Sequence, residues 1–174
     1  MIGQEEKEMA YRVAIITLSD SGYKGEREDV SGGVIAEIVE KEGYEVVRRE
    51  LIPDKEEMLA ALLIQICDGD EADLVLTTGG TGFSKRDRTP EATKRVIERE
   101  TPGISEAMRY CSLQVTPRGM LSRGVSGIRK DALSVNLPGR PKAVRECREY
   151  AIGALGHGLD ILKGNTYNCA VTHK

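Results

Sequence analysis

Between Leu74 and Thr93 the chain reads LVLTTGGTGFSKRDRTPEAT, an apolar run that breaks into three glycines within four residues and then into Lys85, Arg86, Asp87 and Arg88. Glycines directly after a strand let backbone N–H groups approach an oxyanion closely. Neither common phosphate loop is present. Gly79 is followed five residues later by Ser84, so the pattern G-x-x-x-x-G-K-[ST] fails, and G-x-G-x-x-G fails because Gly80-Thr81-Gly82-Phe83-Ser84 leads into Lys85. What remains is a plain tight turn or a turn that holds an anion. Three cations, and the positive end of a helix opening at Pro90, suit phosphate. An aspartate among them opposes anion binding by itself. Asp87 makes sense as a ligand to a divalent cation, because Mg2+ is held by one or two carboxylates plus substrate phosphates; otherwise it is an ordinary surface ion pair.

Asp54 invites the same comparison. It stands directly before KEEMLAALL with Glu57 three residues on, a capping-box pattern, yet it falls at the strand end where Asp87 should also lie. Ser19 and Asp20 follow the first strand at that face, in a loop that continues to Asp29 and Ser31, the latter a possible helix cap. The NLPG segment at 136–139 reads as a strand-terminating turn or as a wall presenting Asn136 to a heterocyclic ligand. His157 sits in the terminal helix and His173 in the tail, which disfavours histidine acid–base chemistry. Cys67, Cys111, Cys147 and Cys169 are widely spaced, form no C-x-x-C pair and show no partner base. That pattern argues against zinc, a disulfide framework or a thiol nucleophile, and suits a reducing compartment.

These residues need elements to position them. RVAIITL at 12–18 is a β-branched apolar run expected as a buried parallel strand. A helix carrying Val34, Ile35, Ile38 and Val39 follows, stopped near Gly43. YEVVRREL is a second strand. A helix after Asp54 sets Met58, Leu59, Leu62, Leu63 and Ile66 on one face, and DLVLTT at 73–78 is the third strand. Thr89 is expected as N-cap with Pro90 at the first helical position. Further expectations are a helix over about 105–113, two short strands within 125–137 turning at Lys130-Asp131, and one long helix over about 142–162. The alternation implies a three-layer α/β domain with a mostly parallel central sheet and helices on both faces. In such sheets ligands sit beyond the carboxyl ends of the strands, so the loops at 19–31, 52–54, 79–89 and 136–139 should converge.

Composition narrows the function. The chain has 174 residues, 40% of them hydrophobic and 30% charged, with a net charge of −3. On a prior of roughly 150 residues per domain this is one domain, 1–174, with its core at about 12–163 and polar tails. An acidic balance and only seven aromatic residues (six Tyr, one Phe) disfavour a nucleic-acid partner. The start, MIGQEEKEMAYR, has no apolar signal-peptide region, and no apolar run approaches the roughly 20 residues of a membrane helix. The expectation is a cytoplasmic protein without membrane contact.

Several segments together carry a resemblance. LVLTTGGTGFSKRDRTPEAT, VIERETPG, MLSRGVSGIR and VNLPGRPKAVRECR, with SDSGYKGEREDVSG and LIPDKEE before them, resemble the MogA-type molybdopterin adenylyltransferases in this order. That family includes the G domain of gephyrin and its plant counterpart. The departure is Arg88, where the family usually has valine. The resemblance implies adenylyl transfer in molybdenum cofactor synthesis: Mg-ATP and molybdopterin as substrates, giving adenylyl-molybdopterin and pyrophosphate. It places the two essential aspartates on Asp54 and Asp87, with Asp87 expected on Mg2+ and Asp54 expected to orient that metal, as a second ligand, or the attacking phosphate. Ser19, Asp20, Gly79, Gly80, Thr81 and Gly82 fall in its phosphate-holding loops, and Ser112, Ser122, Asn136, Pro138 and Gly139 line its pocket. It further implies a homotrimer and a separate molybdenum insertase as product acceptor. The alternatives are a non-catalytic molybdopterin-binding or scaffold module and the related MoaB-type branch. A dehydrogenase is disfavoured by the failed dinucleotide fingerprint.

Overall fold

In the computed structural model residues 10–146 and 152–165 are described. Strand β1 (Arg12–Leu18) is followed by a short helix α1 (Asp20–Tyr23), helix α2 (Val30–Lys41), β2 (Glu45–Ile52), α3 (Glu56–Asp68) and β3 (Leu74–Thr78). Then come α4 (Thr89–Val96), the two-residue strand β4 (Arg99–Glu100), α5 (Pro102–Val115), a 3-10 turn (Pro117–Leu121), and the hairpin β5 (Ser126–Arg129) and β6 (Ala132–Leu137). Helices α6 (Pro141–Glu146) and α7 (Leu155–Lys163) complete the described order. The sheet runs β2-β1-β3-β6-β5-β4. The first four strands in that order are mutually parallel, while β5 is antiparallel to both its neighbours.

Side chains on a strand alternate between its faces, and here the alternation builds two cores. Val13 and Ile15, with Leu74, Leu76, Leu133, Val135 and Leu137, pack against α2, α5, α6 and α7. Ala14, Ile16 and Leu18, with Val75 and Ala132, pack against α3 and α4. Both faces are therefore covered, as a parallel sheet requires. Among the described residues no helix is long and apolar enough to cross a membrane.

The end of the sheet away from the strand carboxyl ends is held by Asp73, which precedes β3. Its carboxylate accepts from Arg12 N at 2.8 Å and from Arg12 Nε and Nη2 at 3.2 and 3.0 Å. Lys163 Nζ, from α7, lies 2.7 Å away. Burial alone would push this carboxyl up, but the bonds from Arg12 and Lys163 outweigh it and hold it at about 2.

Several local expectations are corrected. Asp54 does not cap α3: Lys55 occupies the N-cap position with no side-chain bond, because the Asp54 carboxylate is drawn to the backbone of the β1 loop. Thr89 is the first residue of α4, and Arg88 occupies the cap position. Met58 is exposed while Leu59, Leu63 and Ile66 are buried, so the apolar stripe of α3 is narrower than expected. Helix α5 extends to Pro102 and Val115. Of the long helix expected over about 142–162, Pro141–Glu146 and Leu155–Lys163 are helical, and the stretch 147–151 lies outside the described residues. Cys111 is disulfide-bonded, where the spacing had argued against disulfides, and Cys67 is a buried free cysteine.

Candidate functional site

The chain leaves β1 for β2 on one side and returns to β3 on the other, so the loops after β1 and β3 diverge. A crevice at such a switch point, beyond the strand carboxyl ends, is where α/β sheets bind ligands. Here it is a cavity of about 370 Å3 whose lining includes Ser19, Gly79, Gly139, Arg27 and Arg140.

Gly79 lines it and Gly80 continues the turn, and both need to be glycine. Gly79 has φ +95°, and a Cβ there would stand 2.3 Å from the Leu18 carbonyl oxygen of the neighbouring strand. Gly80 has φ +65°, and its Cβ would stand 2.4 Å from Thr89 Oγ1. Thr89 fastens the turn to α4: its hydroxyl donates to Gly79 O at 2.9 Å and its N–H to Gly80 O at 3.1 Å. Gly139 closes in from the β6 side, its Cβ position 3.4 Å from Gly79 Cα, and Thr78 Oγ1 donates to Pro138 O at 3.0 Å.

Asp54 and Asp20 hold each other through the backbone. Asp20 N–H donates to Asp54 Oδ2 and Asp54 N–H to Asp20 Oδ1, each at 3.0 Å. Arg86 reaches across from the β3 loop and grips Asp20 with both arms of its guanidinium at 2.7–3.0 Å. That bond and the Asp54 backbone N–H lower the Asp20 pKa. Asp54 is raised, chiefly by burial and further by the charges of Asp20 and Asp87, against the pull of the Asp20 backbone N–H and Arg86. A carboxylate that burial and like charges oppose is a poor ion by itself and a good place for a cation.

Asp87 closes a small turn, its Oδ2 accepting from Ser84 N–H at 2.9 Å and its N–H donating to Ser84 O at 3.0 Å. Gly82 faces it: a Cβ there would lie 2.8 Å from Asp87 Oδ2. The cations expected to meet phosphate are occupied otherwise. Arg86 is on Asp20, and Arg88 turns to Glu56 at 2.8 Å, so Arg88 is directed at the start of α3 as well as standing beside Asp87 in sequence. Lys85 makes no ion pair among the described residues.

The remaining expected residues divide. Ser112, Ser122, Asn136 and Pro138 do come together around one small crevice with Ser105 and Arg109. Asn136, however, is buried with its amide engaged internally: Oδ1 accepts from Val125 N–H at 3.1 Å, and Nδ2 donates to Thr77 Oγ1 at 2.8 Å and Thr93 Oγ1 at 3.0 Å. It braces the strand end rather than offering a free group to a heterocycle. Ser19 caps α1 by accepting from Gly22 N–H at 3.0 Å. Ser31 is not a cap, Asp29 holding that place; its hydroxyl donates to Gly139 O at 3.3 Å. Thr81 is buried and its carbonyl accepts from Arg123 N–H at 2.9 Å.

Sequence reasoning missed three contributors. Arg27 and Arg140 face the cavity from segments with no periodic signal, and neither is ion-paired among the described residues. Arg123 lies between the 3-10 turn and β5, and its guanidinium ends on the loop that carries Asp87. Among the described residues no cluster of three or more His, Cys, Asp or Glu side chains forms a ready metal cage. A cation on Asp54 and Asp87 would need oxygens from a ligand to complete its shell, as is usual for Mg2+.

Comparison with known proteins agrees with this geometry. A family model described as a probable molybdopterin binding domain matches residues 14–157. The chain is 41% identical over 155 residues to a protein of Helicobacter pylori strain J99 named molybdopterin adenylyltransferase, covering 88% of each chain. The Escherichia coli K12 protein of the same name is 40% identical, with 85% of this chain and 79% of that one covered. Among solved structures, the molybdopterin biosynthesis enzyme MoaB of Thermus thermophilus superposes with TM-score 0.83 at 44% identity, covering 91% of this chain and 99% of that one.

Proposed function

The chain belongs to the molybdopterin-binding domain family, and on that premise we propose that it is a molybdopterin adenylyltransferase, converting Mg-ATP and molybdopterin to adenylyl-molybdopterin and pyrophosphate. The observation that carries this reading is Asp54. Its carboxylate is half-buried, raised by burial and by the neighbouring charges of Asp20 and Asp87, and set beside the glycine turn at the strand ends. A fold that only held a pterin would have no need of such a group.

In the proposed reaction an oxygen of the molybdopterin phosphate attacks the α-phosphorus of ATP. The new P–O bond forms as the bond to the bridging oxygen breaks, and the electron pair leaves on pyrophosphate. Catalysis of this kind is mostly positioning plus neutralisation of developing charge. Mg2+, when bound, would neutralise phosphate charge, held by Asp87 with Asp54 beside it. Gly79, Gly80, Thr81 and Gly82 would take phosphate on the backbone, and Ser19 and Asp20 would shape the mouth of the cavity. Ser112, Ser122, Pro138 and Gly139 would face the pterin, with Asn136 as their brace. We further place the protein in the cytoplasm as a homotrimer that passes its product to a separate insertase. The exposed Tyr110, Leu113, Val115 and Met120 offer an apolar surface that a second copy could cover.

The test is Mg2+-dependent pyrophosphate release from ATP in the presence of molybdopterin, for wild type and Asp87→Ala. Release that the variant loses supports the transferase. A wild type that binds molybdopterin and releases no pyrophosphate makes the protein a binding module instead.

A further inference from the structure

Arg123 has three side-chain acceptors, two in the loop that carries Asp87 and one in the first turn of α4. Nε donates to Gly82 O at 2.8 Å, Nη2 to Asp87 O at 2.6 Å, and Nη1 to Glu91 Oε1. Gly82 and Asp87 stand on either side of the 83–86 excursion, and Glu91 lies in the first turn of α4. The guanidinium therefore buckles the loop at its entry, its exit and the helix behind it. The Arg123 N–H adds a bond to Thr81 O at 2.9 Å. The Asp87 carboxylate is bounded by the same two ends: it accepts from Ser84 N–H and faces the Cα of Gly82. Fixing the carbonyls of residues 82 and 87 thus fixes where that carboxylate stands. Only a planar fork with several donors can reach acceptors spread this way.

We propose that Arg123 is a positioning residue for adenylyl transfer, holding Asp87 and the glycine turn in register; the proposal rests on the adenylyltransferase reading above. Arg123 touches no substrate in this role. Its loss acts twice. The loop ends are freed, and Glu91, whose second carboxylate oxygen already lacks a partner, is left with only Arg88, 4.0 Å away, to balance its charge. A displacement of about 1 Å at a catalytic group can cost on the order of 100-fold in rate.

Three variants and three readouts test this: Arg123→Ala, Arg123→Lys and Glu91→Gln, followed by kcat and KM for ATP in pyrophosphate release, melting temperature, and the rate of tryptic cleavage after Lys85, Arg86 and Arg88. Arg123→Ala is expected to lower kcat by roughly 10–100-fold with KM for ATP within about threefold, and to speed cleavage of the loop at temperatures where the protein stays folded. Arg123→Lys should recover part of kcat by regaining one carbonyl bond. Glu91→Gln leaves both carbonyl bonds and should stay within about threefold of wild type, since it removes only a partly exposed ion pair. The proposal is overturned by wild-type kcat in Arg123→Ala, by an effect confined to KM, or by Glu91→Gln matching Arg123→Ala. Should the wild type release no pyrophosphate, the adenylyltransferase reading fails separately. Cleavage then decides the placement of the loop: faster in Arg123→Ala sustains it, unchanged overturns it.

Discussion

Asp73→Asn tests the electrostatics that anchor the sheet at the end opposite the site. The Asp73 carboxyl titrates at about 2 in the fold against an ordinary 3.8. At about 1.4 kcal/mol per pH unit, this corresponds to roughly 2 kcal/mol of stability at neutral pH. The sign follows from which state takes up the proton first. As pH falls the unfolded chain protonates near 3.8, while the folded chain resists until about 2, so the contribution is whole above that range and lost through it. It should fall to roughly half at pH 3 and to a small remainder at pH 2. The asparagine variant, which cannot ionise, should be less stable than wild type by about 2 kcal/mol in urea titrations at pH 7. That corresponds to about 4–8 °C in melting temperature for a chain of this size. The gap should halve by pH 3. Pyrophosphate release at a temperature where both proteins are folded should be unchanged, because Asp73 lies at the amino end of β3. A gap that is equal at pH 7 and pH 3 would refute the ion-pair account and leave packing as the cause.

Asp54→Asn should do the reverse. The carboxyl is raised in the fold, chiefly by burial, so its charged form is disfavoured by folding at neutral pH. The variant, whose amide oxygen can still accept from Asp20 N–H, should melt higher than wild type at pH 7 while losing pyrophosphate release by about 100-fold or more. Its thermal advantage should shrink as pH is lowered through the raised value, and melting curves at pH 7 and pH 4.5 read this directly. Gly79→Ala should lower the melting temperature by about 5–10 °C, since φ is +95° and the added carbon would meet Leu18 O at 2.3 Å. Gly25→Ala also has positive φ, but nothing lies within 4 Å of its Cβ position. It should lose only about 1–2 kcal/mol; equal losses in calorimetry would show that the strand contact at Gly79 carries no weight.

The layers of the fold were legible because β1 and β3 are apolar on both faces and the helices between them repeat at helical spacing. The convergence of the loops at 19–31, 52–54, 79–89 and 136–139 followed from that alternation. Capping was misread where a tertiary bond overrode a local one. Asp54 has the sequence of a cap, yet its carboxylate meets Asp20 N–H 34 positions away, and no window around α3 contains that information. Arg86 and Arg88 were read as phosphate ligands from their neighbours in sequence, whereas their partners Asp20 and Glu56 open two other helices. Asn136 was read as a presenting group because a turn follows it; its burial against Thr77 and Thr93 depends on β3 and α4 packing together. Arg123 stands in the MLSRGVSGIR segment that carries the resemblance, but its role was not legible there, since bonds to a distant loop and helix leave no periodicity behind.

The charges at the site bear on the proposed need for Mg2+. Asp20, Asp54 and Asp87 stand together, and of the nearby cations Arg86 is matched to Asp20 and Arg123 to Glu91. Once those pairs are set aside, Asp54 and Asp87 remain as two negative groups, and the charge of Asp87 helps to raise Asp54. ATP and the phosphate of molybdopterin add further negative charge at the same place. Like charges a few ångströms apart in a partly desolvated crevice repel by several kcal/mol at an effective dielectric of about 20, so the anionic substrates and the two carboxylates oppose one another. A divalent cation held by these carboxylates would relieve both oppositions. Under the proposed function, these residues would then favour a nucleotide that arrives as its magnesium complex.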